Sequence, residues 1–235
     1  MVGFPSATVR EVGEVDSDTG MPIPAGDHAT HTIEIAAERP AALDLYWIPL
    51  GAGNPVVEFS GRAFEAVAAR WSGRSPGALF HTALVATVGA DRYFVEMTPV
   101  PSPSRAVPDR GVVAEGAVGT AWARRLRVFR YEIRRWRNGH IPDLAHAVGG
   151  PVPITHEEPL VLAALDAVPL VPTPVWGRDE LHAGEMWNSN SVVSWVLTTA
   201  GLPTTAAVPL GGRAPGWKAG AIVATGSITG SSAPR

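Results

Sequence analysis

Three side-chain types that cooperate in acyl transfer occur along this chain in the order His81, Glu96, Ser189. A hydroxyl becomes a useful nucleophile when an imidazole takes its proton and a carboxylate orients that imidazole. His81 opens the apolar run FHTALV, Glu96 closes RYFVEM, and Ser189 falls in the first turn of a predicted helix. Free N–H groups and the helix dipole there favour developing negative charge. Asn188 and Asn190 could lend amide donors to the same oxyanion. Each residue also has a plainer role open to it. His81 can be a hydrogen-bonded core histidine, Glu96 a solvated strand end before Pro99, and Asn188 and Asn190 helix caps. The chain has no cysteine, which excludes thiol catalysis, thiolate metal sites and disulfides together.

Other groupings carry less chemistry. Gly73-Arg-Ser75-Pro-Gly77 has G-x-S-x-G spacing, but a nucleophile elbow needs a strand before it and a helix after. Here a predicted helix precedes and a strand follows, so the segment reads as a turn. His28 and His31, beside Asp27, lack the third and fourth ligands a metal needs, and His140, His146, His156 and His182 have no fixed spacing. No metal and no cofactor is expected. Arg124, Arg125, Arg127, Arg130, Arg134, Arg135 and Arg137 form a basic run. It reads as an aggregation-resistant charged edge strand, or as a contact for an anion. Gly211-Gly-Arg-Ala-Pro-Gly-Trp217 reads as a loop over a pocket or as a structural turn; no Lys-Ser/Thr follows to make it a phosphate loop.

Residues 31–37 (HTIEIAA) and 43–50 (LDLYWIPL) read as strands. Phe64, Val67, Ala68 and Trp71 share a face of a helix over 61–71, with Ser60 as N-cap and Gly73 past its end. Strands at 78–88 and 92–98 form a hairpin through Gly-Ala-Asp, followed by a Pro-rich loop at 100–110. A strand at 126–136 puts Phe129, Tyr131 and Ile133 on one face. A helix at 156–168 starts with capping-box spacing between Thr155 and Glu158 and carries Leu162, Leu165 and Val168. The segment after it, PLVPTPVWG, cannot be helical. Residues 188–200 form a buried helix, capped by Asn188 and stopped by Gly201 and Pro203.

These elements predict an α+β fold, an antiparallel sheet packed against helices. The expected organisation is a loosely packed arm at 1–29, one globular domain over 30–225 with an N-terminal strand extension, and a small polar tail at 226–235. Hydrophobic content of 46% argues against disorder, and a net charge of −3 gives no whole-chain case for nucleic acid or an anionic membrane surface. Neither a secretory signal nor a membrane-spanning run is visible, so a cytoplasmic protein is expected.

The order of a strand-start His, a strand-end Glu and a helix opening on a small polar phrase resembles the circularly permuted papain-like fold of NlpC-type and lecithin-retinol-acyltransferase-like hydrolases. There a Cys opens the last helix in a phrase such as C-x-x-(F/L)-V. Ser189-Asn-Ser-Val-Val193 matches it with Ser in the Cys position. Residues Trp187 to Val192 are similar to a bacterial branch reading P-N-S-N-T-F, with Trp187, Ser191 and Val192 in place of Pro, Thr and Phe. The match covers roughly residues 78 to 200. It implies His81 as base, Glu96 as orienter and Ser189 as nucleophile, with Trp187, Asn188 and Asn190 lining a site for a small-molecule or peptide-like ligand. A serine does not pre-ionise as a cysteine does, so His81 must accept its proton during attack. The implied function is an amide or ester hydrolase working through Ser189, or a degenerate relative that only binds such a ligand. The competing class is a non-catalytic interaction protein whose eight Trp and proline-rich loops build a recognition surface.

Overall fold

Alternation of apolar residues builds the central strands, because successive side chains leave a strand on opposite faces. In β1 (Ala41–Pro49), Leu43, Leu45 and Trp47 enter one core while Ile48 enters another. The computed structural model describes residues 40–51, 77–100 and 109–231. The arm at 1–29, the strand at 31–37, the helix at 61–71 with Ser60 and Gly73, and most of the Pro-rich loop lie outside the described residues.

The strands are β1, β2 (Ala78–Val88), β3 (Asp91–Pro99), β4 (Val112–Ala117), β5 (Arg130–Arg137), β6 (Val152–Thr155) and the short β7 (Gly212–Arg213). They lie in the order β4-β5-β3-β2-β1-β6, with β7 joined to β2. All pairings are antiparallel except β2 with β7. The helices are α1 (Glu158–Ala167), α2 (Ser189–Thr199) and α3 (Trp217–Ser231). This is the expected α+β class. Among the described residues no helix is long and apolar enough to cross a membrane.

The sheet separates two apolar clusters. Leu45, Leu84, Val95 and Ile133 face the larger one, with Val192 and Val196 of α2 and Val161 and Leu165 of α1. Ile48, Ala83, Val85 and Phe94 face a smaller one with Ile141. The β2–β3 hairpin forms as expected, but its ladder runs only from Val88↔Asp91 to Leu84↔Val95. Beyond that point the first residues of β2 and the last of β3 part. The gap matters below.

Several expectations need correction. The strand expected at 126–136 begins at Arg130, because Arg127–Phe129 form a 3-10 turn. Phe129 is therefore exposed, while Tyr131 and Ile133 are buried. Of the arginine run, Arg130, Arg134, Arg135 and Arg137 lie on β5, which is interior between β4 and β3, and Arg124, Arg125 and Arg127 lie in the 3-10 turns before it. The helix at 158–167 has Glu157 as N-cap and no side-chain cap; the Thr155 hydroxyl instead accepts from the Glu157 N–H at 3.1 Å. Val161, not Leu162, faces the core. β4, β6, β7 and α3 were not legible in the pattern, and α3 continues to Ser231 where a polar tail was expected from 226.

α3 packs along α2 at very close range. A Cβ at Gly220 would lie 2.0 Å from the Ser191 carbonyl oxygen and 2.1 Å from the Ser194 hydroxyl. Only a residue without a side chain fits there. Gly220→Ala must push the two helices apart, and we expect the urea midpoint to fall by about 1–3 kcal/mol of stability, as for an overpacked core.

Candidate functional site

The start of α2 is fixed before any chemistry is considered. Asn188 caps the helix: its Oδ1 accepts from the Asn190 N–H at 2.9 Å and the Ser191 N–H at 3.3 Å. Ser191 Oγ returns the bond by accepting from the Asn188 N–H at 3.1 Å, which completes a capping box. The Asn188 side-chain amide donates to the Pro215 carbonyl at 2.9 Å, and Ser191 Oγ donates to Gly216 O at 2.8 Å. The loop at 211–217 is thus a clamp on this helix start. Gly216, with φ of 84°, allows it: a Cβ there would meet Asn188 Oδ1 at 2.6 Å and Ser191 Oγ at 2.7 Å.

Asn190 ties the helix to the sheet at the β2–β3 gap. Its Nδ2 donates to the carbonyl of Phe80 at 3.0 Å and to Pro215 O at 2.9 Å, while its Oδ1 accepts from the Thr82 hydroxyl at 3.1 Å. Phe80 and Thr82 flank His81, so the first turn of α2 meets β2 beside the expected base. Asn188 and Asn190 direct their amides at protein carbonyls. Trp187 is buried, and its indole N–H has no hydrogen-bond partner among the described residues.

Ser189 is also buried, and no hydrogen bond joins its hydroxyl to the His81 imidazole among the described residues. By strand alternation His81 points to the face of Ile48, Ala83 and Val85, whereas α2 covers the other. Its imidazole keeps a little exposed surface, yet burial pulls its pKa below the ordinary histidine value, and Asp143 opposes that pull. Burial thus favours its uncharged form.

Glu96 shares the His81 face but is bound elsewhere. Arg134 Nη1 donates to its Oε1 at 2.9 Å. Burial nevertheless raises the Glu96 pKa, with Arg134 opposing and Asp143 and Glu132 adding to the rise. Arg134 also reaches Glu132 Oε2 at 2.9 Å through Nε, and Arg110 clasps the same carboxylate at 3.1 and 2.5 Å. Burial would raise the Glu132 carboxyl, but the hydrogen bonds from Arg110 and Arg134 hold it below its usual value. The face therefore carries a chain Arg110–Glu132–Arg134–Glu96, with Asp143 close enough to act on both Glu96 and His81.

Asp143 is the carboxylate that most affects His81, and nothing in its spacing pointed to it. It sits in the 3-10 turn Pro142–His146, which packs on β1. The Arg110–Glu132–Arg134 part had a readable signal: in RYEIRRWR, charges alternate with Tyr131 and Ile133, and a carboxylate among arginines on one face invites pairing. No group of three or more His, Asp or Glu side chains that could hold a metal occurs among the described residues.

The described residues thus define an α+β protein with a polar, partly buried site where a helix start meets a parted hairpin. Comparison with family models, with curated proteins and with solved structures finds no match.

Proposed function

We propose that the chain is a relative of the permuted papain-like hydrolases in which Ser189 occupies the nucleophile position, and that its site binds an amide- or ester-bearing ligand without turning it over. The observation that carries this is the docking of the α2 start, through Asn190, onto the carbonyl of Phe80 in the gap between β2 and β3. That docking brings Ser189 beside the strand of His81. Binding is favoured over turnover because, among the described residues, no hydrogen bond joins Ser189 to His81, whose side chain leaves β2 on the face opposite α2, and Glu96 is held by Arg134 instead of orienting the imidazole. The unpartnered Trp187 N–H is a donor that a ligand carbonyl would satisfy.

The absence of cysteine makes a direct test available, since Ser189→Cys creates the sole thiol in the chain. A thiol at a helix start that an imidazolium can reach should ionise well below the ordinary value of about 8.5. We expect the pH profile of iodoacetamide alkylation to place it roughly one unit lower or more, and His81→Ala to move it back up. An ordinary thiol, indifferent to His81, would sink the kinship.

Turnover is the second reading, favoured by a Ser189 hydroxyl in the first turn of α2 and by the burial that lowers the His81 pKa. It requires labelling by a serine-directed phosphonate, abolished in Ser189→Ala and His81→Ala and retained in Ser75→Ala. Clean folding without labelling leaves the binding function.

A further inference from the structure

Between β4 and β5 the chain leaves the sheet as two 3-10 turns, Ala121–Arg125 and Arg127–Phe129. The excursion is well braced. Ala123 is buried beneath it, Leu126 N–H donates to Ala123 O at 2.9 Å, Phe129 N–H to Leu126 O at 3.0 Å, and the base is closed by Val118 N–H donating to Phe129 O at 2.8 Å. Yet its large apolar side chains face outward: Trp122 is 72% exposed, Val128 74%, Leu126 54% and Phe129 43%. Trp122 is the one exposed tryptophan among the described residues; Trp47, Trp187 and Trp195 are buried and Trp136, Trp176 and Trp217 half-buried.

Charge is equally one-sided. Residues 121–130 hold Arg124, Arg125, Arg127 and Arg130 and no Asp or Glu, although the whole chain carries a net −3. Arg130 is paired with Glu115 at 3.2 Å, and its buried Nε–H has no hydrogen-bond partner among the described residues. Arg124 and Arg125 are exposed and form no ion pair among the described residues.

We propose that this braced turn docks the protein on the surface of an anionic membrane, with Trp122, Leu126, Val128 and Phe129 entering the headgroup–acyl boundary and the arginines meeting lipid phosphates. Three points choose the lipid surface. Apolar and cationic side chains are interleaved within one short protrusion, and the interface of a bilayer accepts both at the same depth. The protrusion has ten residues, whereas a stable protein interface engages roughly 20–30 on each side. Nucleic acid would stack on Trp122 and Phe129 but gains nothing from exposed Leu126 and Val128. Clustered arginines at an anionic leaflet contribute about 1 kcal/mol each, and apolar insertion adds to that.

The test is co-sedimentation of the full chain with vesicles of phosphatidylcholine, with or without about a third phosphatidylglycerol. We expect binding to the anionic vesicles alone, weakened by salt. Arg124→Gln with Arg125→Gln should weaken it roughly 25-fold and flatten the salt dependence. Trp122→Ala with Val128→Ala should weaken it about tenfold or more at unchanged thermal stability, since these side chains are exposed. The proposal is overturned if the wild type ignores anionic vesicles at low salt, or if neither pair of substitutions alters binding. It is overturned equally if the chain forms a dimer that Trp122→Ala dissociates and that does not bind vesicles, or if single-stranded DNA binds through the arginines while vesicles do not.

Discussion

Arg134→Met should cost about 3–5 kcal/mol of folding free energy, the usual penalty for removing one member of a buried ionic group. Arg134 stands between Glu96 and Glu132, bonded to Oε1 of the first at 2.9 Å and to Oε2 of the second at 2.8–2.9 Å. Glu132 retains Arg110 after the substitution. Among the described residues Glu96 retains no cation: the remaining neighbours that act on it are the carboxylates of Asp143 and Glu132. Glu96→Gln added to Arg134→Met should therefore recover 1 kcal/mol or more, because it removes the stranded charge. Arg134→Lys keeps the charge but not the fork that spans two carboxylates, and should fall between wild type and Met.

The same substitution should change how stability depends on pH, and the two carboxylates pull in opposite directions. Glu132, held below its ordinary value, stabilises the wild type above the unfolded carboxylate pKa and loses that contribution as pH falls through its folded one. Glu96, raised by burial, binds its proton more tightly folded than unfolded, so acid relieves it. Without Arg134 the Glu96 pKa must climb further. The deficit of Arg134→Met relative to wild type should then shrink as pH is lowered from about 8 into the acid range, as Glu96 takes up its proton. A deficit constant over that range, measured by urea unfolding at each pH, would show that Glu96 does not carry the cost.

The sequence was most readable where period and caps agreed. Alternation in β1, β2 and β3, and Asn188 with Gly201 around α2, placed those elements nearly to the residue. The failures share a cause: residues answering to partners distant in sequence. β4 has a glycine, Gly116, because the Tyr131 ring of β5 lies against it, and nothing within VVAEGA signals a strand. α3 looks like a weak helix of small residues, and Gly220 is small to let α2 approach. The arginine run reads as an edge strand or an anion contact because its own residues carry no sign of the strands on either side. Only the sheet order reveals that Arg134 is interior and has two carboxylates waiting. Likewise the chemistry of the phrase at 188–191 was visible as a set of polar atoms, but their targets, Phe80 O, Pro215 O and Gly216 O, lie on other parts of the chain.

Within that phrase, neighbouring residues should behave in opposite ways. Asn190→Ala removes two buried hydrogen bonds and a part-buried one, and leaves the Thr82 hydroxyl and the Phe80 carbonyl without the partner that now satisfies them. Each unsatisfied buried group costs about 1–3 kcal/mol, so a loss of roughly 3 kcal/mol or more is expected. Thr82→Val in the same background should return part of it, because a methyl group has no lost bond to replace. Ser189→Ala, one residue earlier, removes a hydroxyl with no hydrogen bond among the described residues and should leave stability within about 1 kcal/mol of wild type. The contrast separates scaffold from site. Asn190 holds α2 in the β2–β3 gap, and among the described residues Ser189 has no structural duty in the first turn of that helix, two residues from the buried Trp187 indole donor. If Ser189→Ala proved as damaging as Asn190→Ala in thermal unfolding, Ser189 would be one more anchor, and the helix start would have no side chain left to meet a ligand.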